Sequence, residues 1–226
     1  MLRQEAENLW TADYSMKMPG GVPFPARMTV VRLSDGSLSL ISPVPIDDAL
    51  AKELAALGPV TYLLAPNLYH HLYLPAAKTR YPAARILGPQ GLSAKQPKLE
   101  IAPLALTGAP FHGTLEALAI DGAPKLKETV FFHAPSRSLI LCDLAFNIEQ
   151  TSSWKTSVVL SMMGVRGRLG QSRAWNFIAS DKTAAGASCR RMLEWDFDRL
   201  VVAHGEVVAS GAKARLASAL TRTRPV

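Results

Sequence analysis

The first clear pattern along the chain is a period of two in its hydrophobic and polar positions. Residues 28–33 and 37–44 both alternate in this way, and Ser34-Asp35-Gly36 lies between them. Alternation places apolar side chains on one face of a strand, and a glycine turn between two such stretches predicts a β-hairpin. The preceding residues 1–27 contain Pro19-Gly20-Gly21 and two further prolines, which predicts a loop-rich start.

A helix and an interior strand are predicted after the hairpin. Residues 46–57 have acids in the first turn and Gly58 after the last apolar residue, which is typical of a helix. Residues 60–65 form a short apolar run between Gly58-Pro59 and Pro66-Asn67. A run of this length and setting indicates a strand buried on both faces.

The rest of the chain mixes strands and helices in the same manner. Strands are predicted at 85–87, 99–104, 115–120, 128–132, 138–142 and 199–203, and helices at 70–80, 154–163, 183–195 and 212–221. This order predicts an α/β fold in which helices cover sheets. No repeat, low-complexity tract or linker interrupts it, so we expect a single domain over residues 1–226.

The composition is that of a globular protein. The 226 residues are 48% hydrophobic and 19% charged, enough for a sizeable core. Two cysteines, Cys142 and Cys189, do not make a disulfide framework, so a reduced, cytoplasmic setting fits best. The N-terminus has acids where a signal peptide needs an apolar stretch, and no apolar run approaches the length of a membrane span. We therefore expect neither a targeting segment nor a membrane partner.

The net charge of +7 and the isoelectric point of about 9.6 suit an anionic partner. The basic residues are mostly scattered, however, and no aromatic residues are interleaved with them as on nucleic-acid-binding surfaces. This pattern argues against a nucleic-acid partner. Arg166, Arg168 and Arg173, in a glycine-rich stretch, could form a lid over an anionic substrate, although a solvated loop is the simpler interpretation.

Several residues that can bind a metal come directly after predicted apolar strands. They are the pair His70-His71, Asp143 and His204. Chemistry in open α/β sheets collects beyond the carboxyl ends of strands. Singly, each histidine is more often a satisfied surface or core residue, and Asp143 a turn former. Together they form a ligand set suited to zinc or iron. The predicted strands 128–132 and 138–142 form a second hairpin, and His133, in its turn, is expected at the surface.

The same residues lie in segments that resemble the metallo-β-lactamase superfamily. The chain has P-N-L-Y-H-H where that superfamily has an H-x-H-x-D-H ligand loop, L-C-D-L-A-F after a hairpin strand, and V-V-A-H-G near the end. The stretches L-W-T-A-D, R-M-T-V-V-R-L-S-D-G-S-L and A-P-N-L-Y-H-H-L-Y-L resemble, more specifically, the DUF4336 family. The resemblance covers nearly the whole chain and implies a four-layer αββα sandwich.

The resemblance also implies that one metal position is lost. Pro66 and Leu68 stand where the first two histidines of the ligand loop belong, and neither side chain can bind a metal. His70 takes the place of the aspartate, and His71 keeps that of the last histidine. Glu128 falls roughly where a middle histidine is expected. A site with two metals is therefore not expected.

The remaining positions imply one metal ion, zinc or iron. His71, Asp143 and His204 would be ligands, and His70 would be a fourth ligand or a catalytic acid-base group. An open coordination position could hold a water whose pKa is lowered toward neutrality. Neighbouring side chains on a helix point about 100° apart, so His70 and His71 can share a metal only if the helix has not yet begun.

Two functions fit these residues. One is a metal-dependent hydrolase that acts on a small molecule. The other is a non-catalytic relative that keeps the scaffold for binding a partner or ligand, and the loss of the first metal position favours it. The residues specify neither the substrate nor the oligomeric state.

Overall fold

The computed structural model describes residues 1–107 and 111–223, which contain thirteen strands and seven helices. The strands are β1 (Arg3–Ala6), β2 (Leu9–Met18), β3 (Val22–Arg32), β4 (Leu38–Ile41), β5 (Val60–Leu64), β6 (Arg85–Gly88), β7 (Ile101–Pro103), β8 (Leu115–Ala119), β9 (Thr129–His133), β10 (Ser138–Leu141), β11 (Phe146–Asn147), β12 (Leu169–Gly170) and β13 (Arg199–Val202). The helices are α1 (Asp48–Leu57), α2 (Leu74–Arg80), α3 (Leu92–Lys95), α4 (Trp154–Met163), α5 (Trp175–Ile178), α6 (Lys182–Glu194) and α7 (Ala212–Ala219). None of these helices has the length and apolar character that crossing a bilayer requires.

The strands form two main sheets and a short ribbon of β11 and β12. The first sheet contains β1 to β7 in chain order, with antiparallel pairing up to β4 and parallel pairing from there on. The second sheet has the order β13-β10-β9-β8, and β10 and β13 are parallel. Because the ends of parallel neighbours lie at the same edge, the segments after β4 and β5 emerge together, as do those after β10 and β13.

The two sheets pack face to face between two layers of helices. In β5, Leu63 belongs to the core shared with Leu54 of α1, whereas the next residue, Leu64, packs in the core between the sheets with Phe131 of β9. Phe132 belongs to the core that β9 and β10 share with α6 and α7. Successive side chains of a strand point to opposite faces, so each strand serves two layers. The predicted αββα sandwich is confirmed.

Most elements lie where the hydrophobic pattern predicts them, and the shifted boundaries have local causes. α4 covers the predicted residues 154–163. α1 begins at Asp48 because the side chain of Asp47 accepts the N–H of Leu50 and caps the helix. α2 begins at Leu74, four residues later than predicted, so the histidine pair precedes the helix.

The expectation of a loop-rich start is wrong. Residues 1–27 contain β1, β2 and the first half of β3, and β2 and β3 pair along their whole length as one long hairpin. A proline is tolerated in a strand where its missing N–H faces no partner strand. Pro23 and Pro25 meet this condition because β4 pairs only with residues 29–32 of β3. Their free carbonyls instead accept hydrogen bonds from Thr156 and His204.

Candidate metal centre

Two histidines and an aspartate converge at the edge where β5, β10 and β13 end. The Nε2 atom of His70 lies 3.3 Å from Asp143 Oδ2, that of His204 lies 3.5 Å from Asp143 Oδ1, and the two Nε2 atoms are 3.2 Å apart. In residues 1–107 and 111–223, this is the only group of three metal-binding side chains whose ligand atoms all lie within 4.8 Å. The side chains are between 7% and 20% exposed, so the group is shielded from most of the solvent.

Asn67, shortly after β5, organises the turn that carries His70. Its Oδ1 accepts the N–H groups of Tyr69 at 2.8 Å and of His70 at 2.9 Å. Asparagine favours such turns because its side chain reaches the backbone two or three residues ahead. Its Nδ2 donates to Asp143 Oδ2 at 2.8 Å. One amide therefore fixes both the turn and the neighbouring carboxylate.

Ser42, which follows β4, holds the other nitrogen of His70. Its Oγ lies 2.6 Å from His70 Nδ1. The backbone φ of Ser42 is +56°, a left-handed conformation that is uncommon for residues other than glycine and is found at functional sites. Because Nδ1 is engaged by the hydroxyl, Nε2 is the nitrogen that His70 presents to Asp143.

His204 is held by β3 and by two aromatic rings. Its Nδ1 donates to the carbonyl oxygen of Pro25 at 2.7 Å, which leaves the lone pair on Nε2. The imidazole stacks on Phe146 with an interplanar angle of 10° and meets the edge of Phe24. Both the tautomer and the plane of the ring are therefore set by the surrounding protein.

The backbone around His204 is also fixed. Arg27, which is 5% exposed, donates through Nη1 to the carbonyl oxygens of Val202 at 3.0 Å and Gly205 at 2.6 Å. Gly205 has a φ of +108°, and a Cβ added there would lie 2.1 Å from the carbonyl oxygen of Asn147. The position after His204 therefore requires glycine.

Glu128 does not belong to the group of three side chains but binds the backbone around Asp143. It is fully buried and accepts the N–H groups of Cys142 and Asp143 at 2.9 Å and of Leu144 at 3.1 Å. Its Oε2 also lies 3.4 Å from Asn67 Nδ2. These bonds hold the backbone of the turn after β10, and with it the position of the Asp143 carboxylate.

The two carboxyl groups have opposite electrostatic settings. Burial alone would raise the pKa of Asp143, but the adjacent His70 and His204 outweigh it and hold that pKa well below its usual range. Complete burial and the negative charge of Asp143 raise the pKa of Glu128 to about 8, against the opposing effect of the three backbone N–H groups. Asp143 is therefore ionised at neutral pH, which is the form that binds a metal.

His71 turns away from this group. Its Nδ1 lies 2.9 Å from Nε2 of Gln96, just after α3, and it does not belong to the group of converging ligand atoms. Burial, assisted by the positive charge of Lys95, lowers the pKa of His71. His70 is the member of the pair that faces Asp143. Of the four expected ligands, the geometry therefore brings together His70, Asp143 and His204 and leaves His71 outside.

The three arginines of the glycine-rich stretch lie outside the site. Arg168 donates to the carbonyl of Gly164 at 2.7 Å, and Arg173 donates to that of Met162 at 3.3 Å. Both thereby satisfy carbonyl groups at the C-terminal end of α4. Neither they nor Arg166 contribute to the walls of the cavity beside the candidate metal centre. Their placement does not support a lid over an anionic substrate.

That cavity has a volume of about 580 Å³. Its walls come from the β2–β3 hairpin, the segments after β4 and β5, and the region of α4 and α5, and His70, Asp143 and His204 form part of it. The volume lies in the range of small-molecule binding sites. A small molecule in this cavity would contact the three converging side chains.

Several supporting residues could not be found from ligand chemistry in the sequence. Asn67 follows a proline at a strand end, which is a turn signal. Nothing in the sequence pairs Ser42 with a histidine 28 residues away, or Pro25 with one 179 residues away. His133, expected at the surface, is fully buried in β9, so that expectation is wrong. It bonds Ser136 and takes no part in the candidate metal centre.

Several solved structures with a similar fold are metallo-β-lactamases. A metallo-β-lactamase from Pontibacter korlensis is 12% identical with a TM-score of 0.67, covering 100% of this chain and 99% of its own. FIM-1 from Pseudomonas aeruginosa, in a mono-zinc form, is 10% identical with a TM-score of 0.65, covering 100% and 96%. The metallo-β-lactamase from Hirschia baltica is 12% identical with a TM-score of 0.63, covering 100% and 98%. At these identities the likeness shows the fold alone.

The sequence comparisons identify the family to which the chain belongs. No curated protein is significantly similar to the chain. The DUF4336 family, described as a domain of unknown function, matches residues 6–160, a segment that includes His70 and Asp143. The match covers more than half of the chain, and the resemblance predicted from the sequence is confirmed. The chain belongs to the DUF4336 family and has the metallo-β-lactamase fold.

Proposed function

We propose that His70, Asp143 and His204 hold one zinc or iron ion, and that the protein is a metal-dependent hydrolase acting on a small molecule. The observation that carries the proposal is the spacing of the ligand atoms, which is 3.2, 3.3 and 3.5 Å for the three pairs. Two ligand atoms about 2.0–2.1 Å from a shared tetrahedral metal are about 3.3–3.4 Å apart. The three spacings match that arrangement.

The chemistry of the three residues also fits a metal. Two imidazole nitrogens and one carboxylate are a common ligand set for zinc and for non-haem iron. The hydrogen bond from His204 Nδ1 to Pro25 is of the kind that fixes the tautomer of a ligating histidine. The Ser42 hydroxyl, which can accept a hydrogen bond from Nδ1 of His70, would leave Nε2 of that ring free to bind the metal. FIM-1, which shares this fold, is described in a mono-zinc form, so single occupancy is compatible with the fold.

A metal ion bound there would act as a Lewis acid and lower the pKa of a water toward neutrality. The chain's own residues would supply the setting. Asn67 orients the Asp143 carboxylate, and the rings of Phe24 and Phe146 keep bulk water from the faces of His204. The cavity would hold the substrate beside the three ligands.

Both cysteines are free and buried, which supports the expectation of a reducing, cytoplasmic setting.

Elemental analysis of untagged protein, with His204→Ala and His112→Ala beside the wild type, tests the metal proposal. We expect about one zinc or iron per chain in the wild type and less than about a tenth of that in His204→Ala, because one of three ligands is lost. His112 lies in an exposed loop, so His112→Ala should keep the metal. A wild type without stoichiometric metal after incubation with zinc would rule out the proposal.

The second candidate is a non-catalytic binding protein. It is favoured by Pro66 and Leu68, which stand where the histidines of the first metal position belong and cannot bind a metal. Metal-free wild-type protein that still binds a ligand in the cavity would favour this candidate over the hydrolase.

A further inference from the structure

The cavity beside the candidate metal centre has walls that are largely apolar. The side chains come from elements far apart in the chain, so the apolar surface is a product of the fold and not of one hydrophobic segment. Prominent among them are Met16, Met18, Phe24, Phe146, Met163 and Trp175. An apolar wall of this kind favours binding of an apolar part of a ligand, because contact between the two removes apolar surface from water.

Charge is nearly absent from these walls. Among the described residues that line the cavity, Lys17 is the only charged one apart from the histidines and Asp143, and it is exposed. Sites for phosphate groups use arginine or lysine clusters that match the negative charge. The arginines of the glycine-rich stretch do not line the cavity. Arg168 and Arg173 instead donate to carbonyl groups at the C-terminal end of α4. The cavity is therefore unsuited to a strongly anionic ligand.

Methionine makes up an unusual share of the wall. Three of the chain's seven methionines, Met16, Met18 and Met163, line the cavity. Methionine is unbranched and flexible, so a surface rich in it adapts to apolar groups of irregular or variable shape. This favours a flexible chain over a single rigid ring system.

We infer that the cavity binds the apolar acyl chain of a neutral carboxylic ester and places its carbonyl group beside His70, Asp143 and His204. The reaction part rests on the proposed hydrolase function, whereas the binding part does not. Water adds to the carbonyl carbon, and the bond between that carbon and the alkoxy oxygen breaks. The carboxylic acid keeps the new oxygen and one proton of the water, and the departing alkoxide takes the other proton and leaves as the alcohol. A phosphoester would bring negative charge that these walls do not match.

Binding is tested first on metal-free protein with the neutral fluorescent probe N-phenyl-1-naphthylamine. We expect the wild type to bind the probe, and methyl octanoate to displace it, while inorganic phosphate does not. The matched variants are Met163→Lys, in the wall, and Met162→Lys, whose side chain is 71% exposed and lies outside the wall. Each buried methylene contributes about fourfold to affinity, so Met163→Lys should weaken probe binding at least about tenfold and Met162→Lys less than about twofold.

One further variant keeps the test decisive. Met18→Gln, in the part of the wall that comes from β2, should also weaken probe binding if Met163→Lys fails to fold. Probe binding to the metal-free wild type separates the apolar site from the metal site. In metal-loaded wild type, p-nitrophenyl octanoate should have a kcat/KM at least about tenfold above that of the acetate ester.

Equal probe affinity in the two lysine variants would overturn the inference, as would displacement by phosphate and not by methyl octanoate. No preference for the longer ester in an active, metal-loaded enzyme would overturn the assignment of the acyl chain to this cavity. Probe binding without any ester hydrolysis would instead count against the proposed function and leave the apolar site standing.

Discussion

At the residue scale, the candidate site depends on supporting side chains as much as on its three converging ligands. Ser42 and Pro25 engage the Nδ1 atoms of His70 and His204, and Asn67 bonds Asp143. Such partners fix ring orientation and tautomer, and removing one typically lowers metal affinity about 10–100-fold. The sequence could identify Asp143 and His204 because each follows an apolar strand. It placed His71 ahead of His70 among the ligands, because the turn that Asn67 stabilises decides which ring faces Asp143 and the motif alone does not show that turn.

The glycine after His204 provides a test at this scale. We expect Gly205→Ala to lower the free energy of unfolding by about 2–4 kcal/mol, because a left-handed φ is combined with a Cβ 2.1 Å from the Asn147 carbonyl oxygen. Gly113→Ala is the matched control, since Gly113 also has a positive φ, +71°, but no atom of the described residues lies within 4 Å of an added Cβ. It should lower the same quantity by only about 1–2 kcal/mol. Urea unfolding measures both free energies. Equal losses in the two variants would contradict the claim that the contact with the Asn147 carbonyl destabilises Gly205→Ala.

At the scale of elements, hydrophobic periodicity located most helices and strands but not their pairing. β10 and β13 are parallel neighbours although about sixty residues separate them, and this pairing brings Asp143 and His204 together. The pairing of β4 with β5 similarly brings Ser42 near His70. The β2–β3 hairpin was missed because prolines usually indicate loops. Here Pro25 lies where β3 has no second neighbour, and its free carbonyl binds His204.

The hairpin of β9 and β10 contains a buried histidine that makes stability depend on pH. Burial lowers the pKa of His133 to about 4. In the unfolded chain a histidine takes up a proton near pH 6.5, whereas folded His133 does so only near pH 4. The free energy of unfolding that depends on a neutral His133 is therefore fully present above pH 6.5. It is lost as the pH falls toward 4, by on the order of 2–3 kcal/mol.

A pH series of urea unfolding for wild type and His133→Phe measures this effect. The free energy of unfolding of the wild type should fall more steeply than that of the variant between pH 7 and pH 4. The difference between the two proteins should change by on the order of 2–3 kcal/mol over that interval. A difference that stays constant with pH would show that His133 does not titrate as its burial implies.

At the scale of the whole molecule, the site is assembled from both sheets of the sandwich. His70 follows β5 of the first sheet, and Asp143 and His204 follow β10 and β13 of the second. The family match at residues 6–160 includes the first two of these residues, and His204 lies beyond it. The fold class followed from the order of elements and from the resemblance, because the layers follow from which faces are apolar. The three-residue geometry required the folded chain.

The central claim is that one metal ion lies between His70, Asp143 and His204. Anomalous X-ray diffraction at the zinc edge, on crystals grown with zinc, tests both its presence and its position. We expect a single strong peak per chain, about 2.0–2.2 Å from Nε2 of each histidine and from a carboxylate oxygen of Asp143. No peak there at saturating zinc, or a peak beside His71 and Gln96 instead, would contradict the claim.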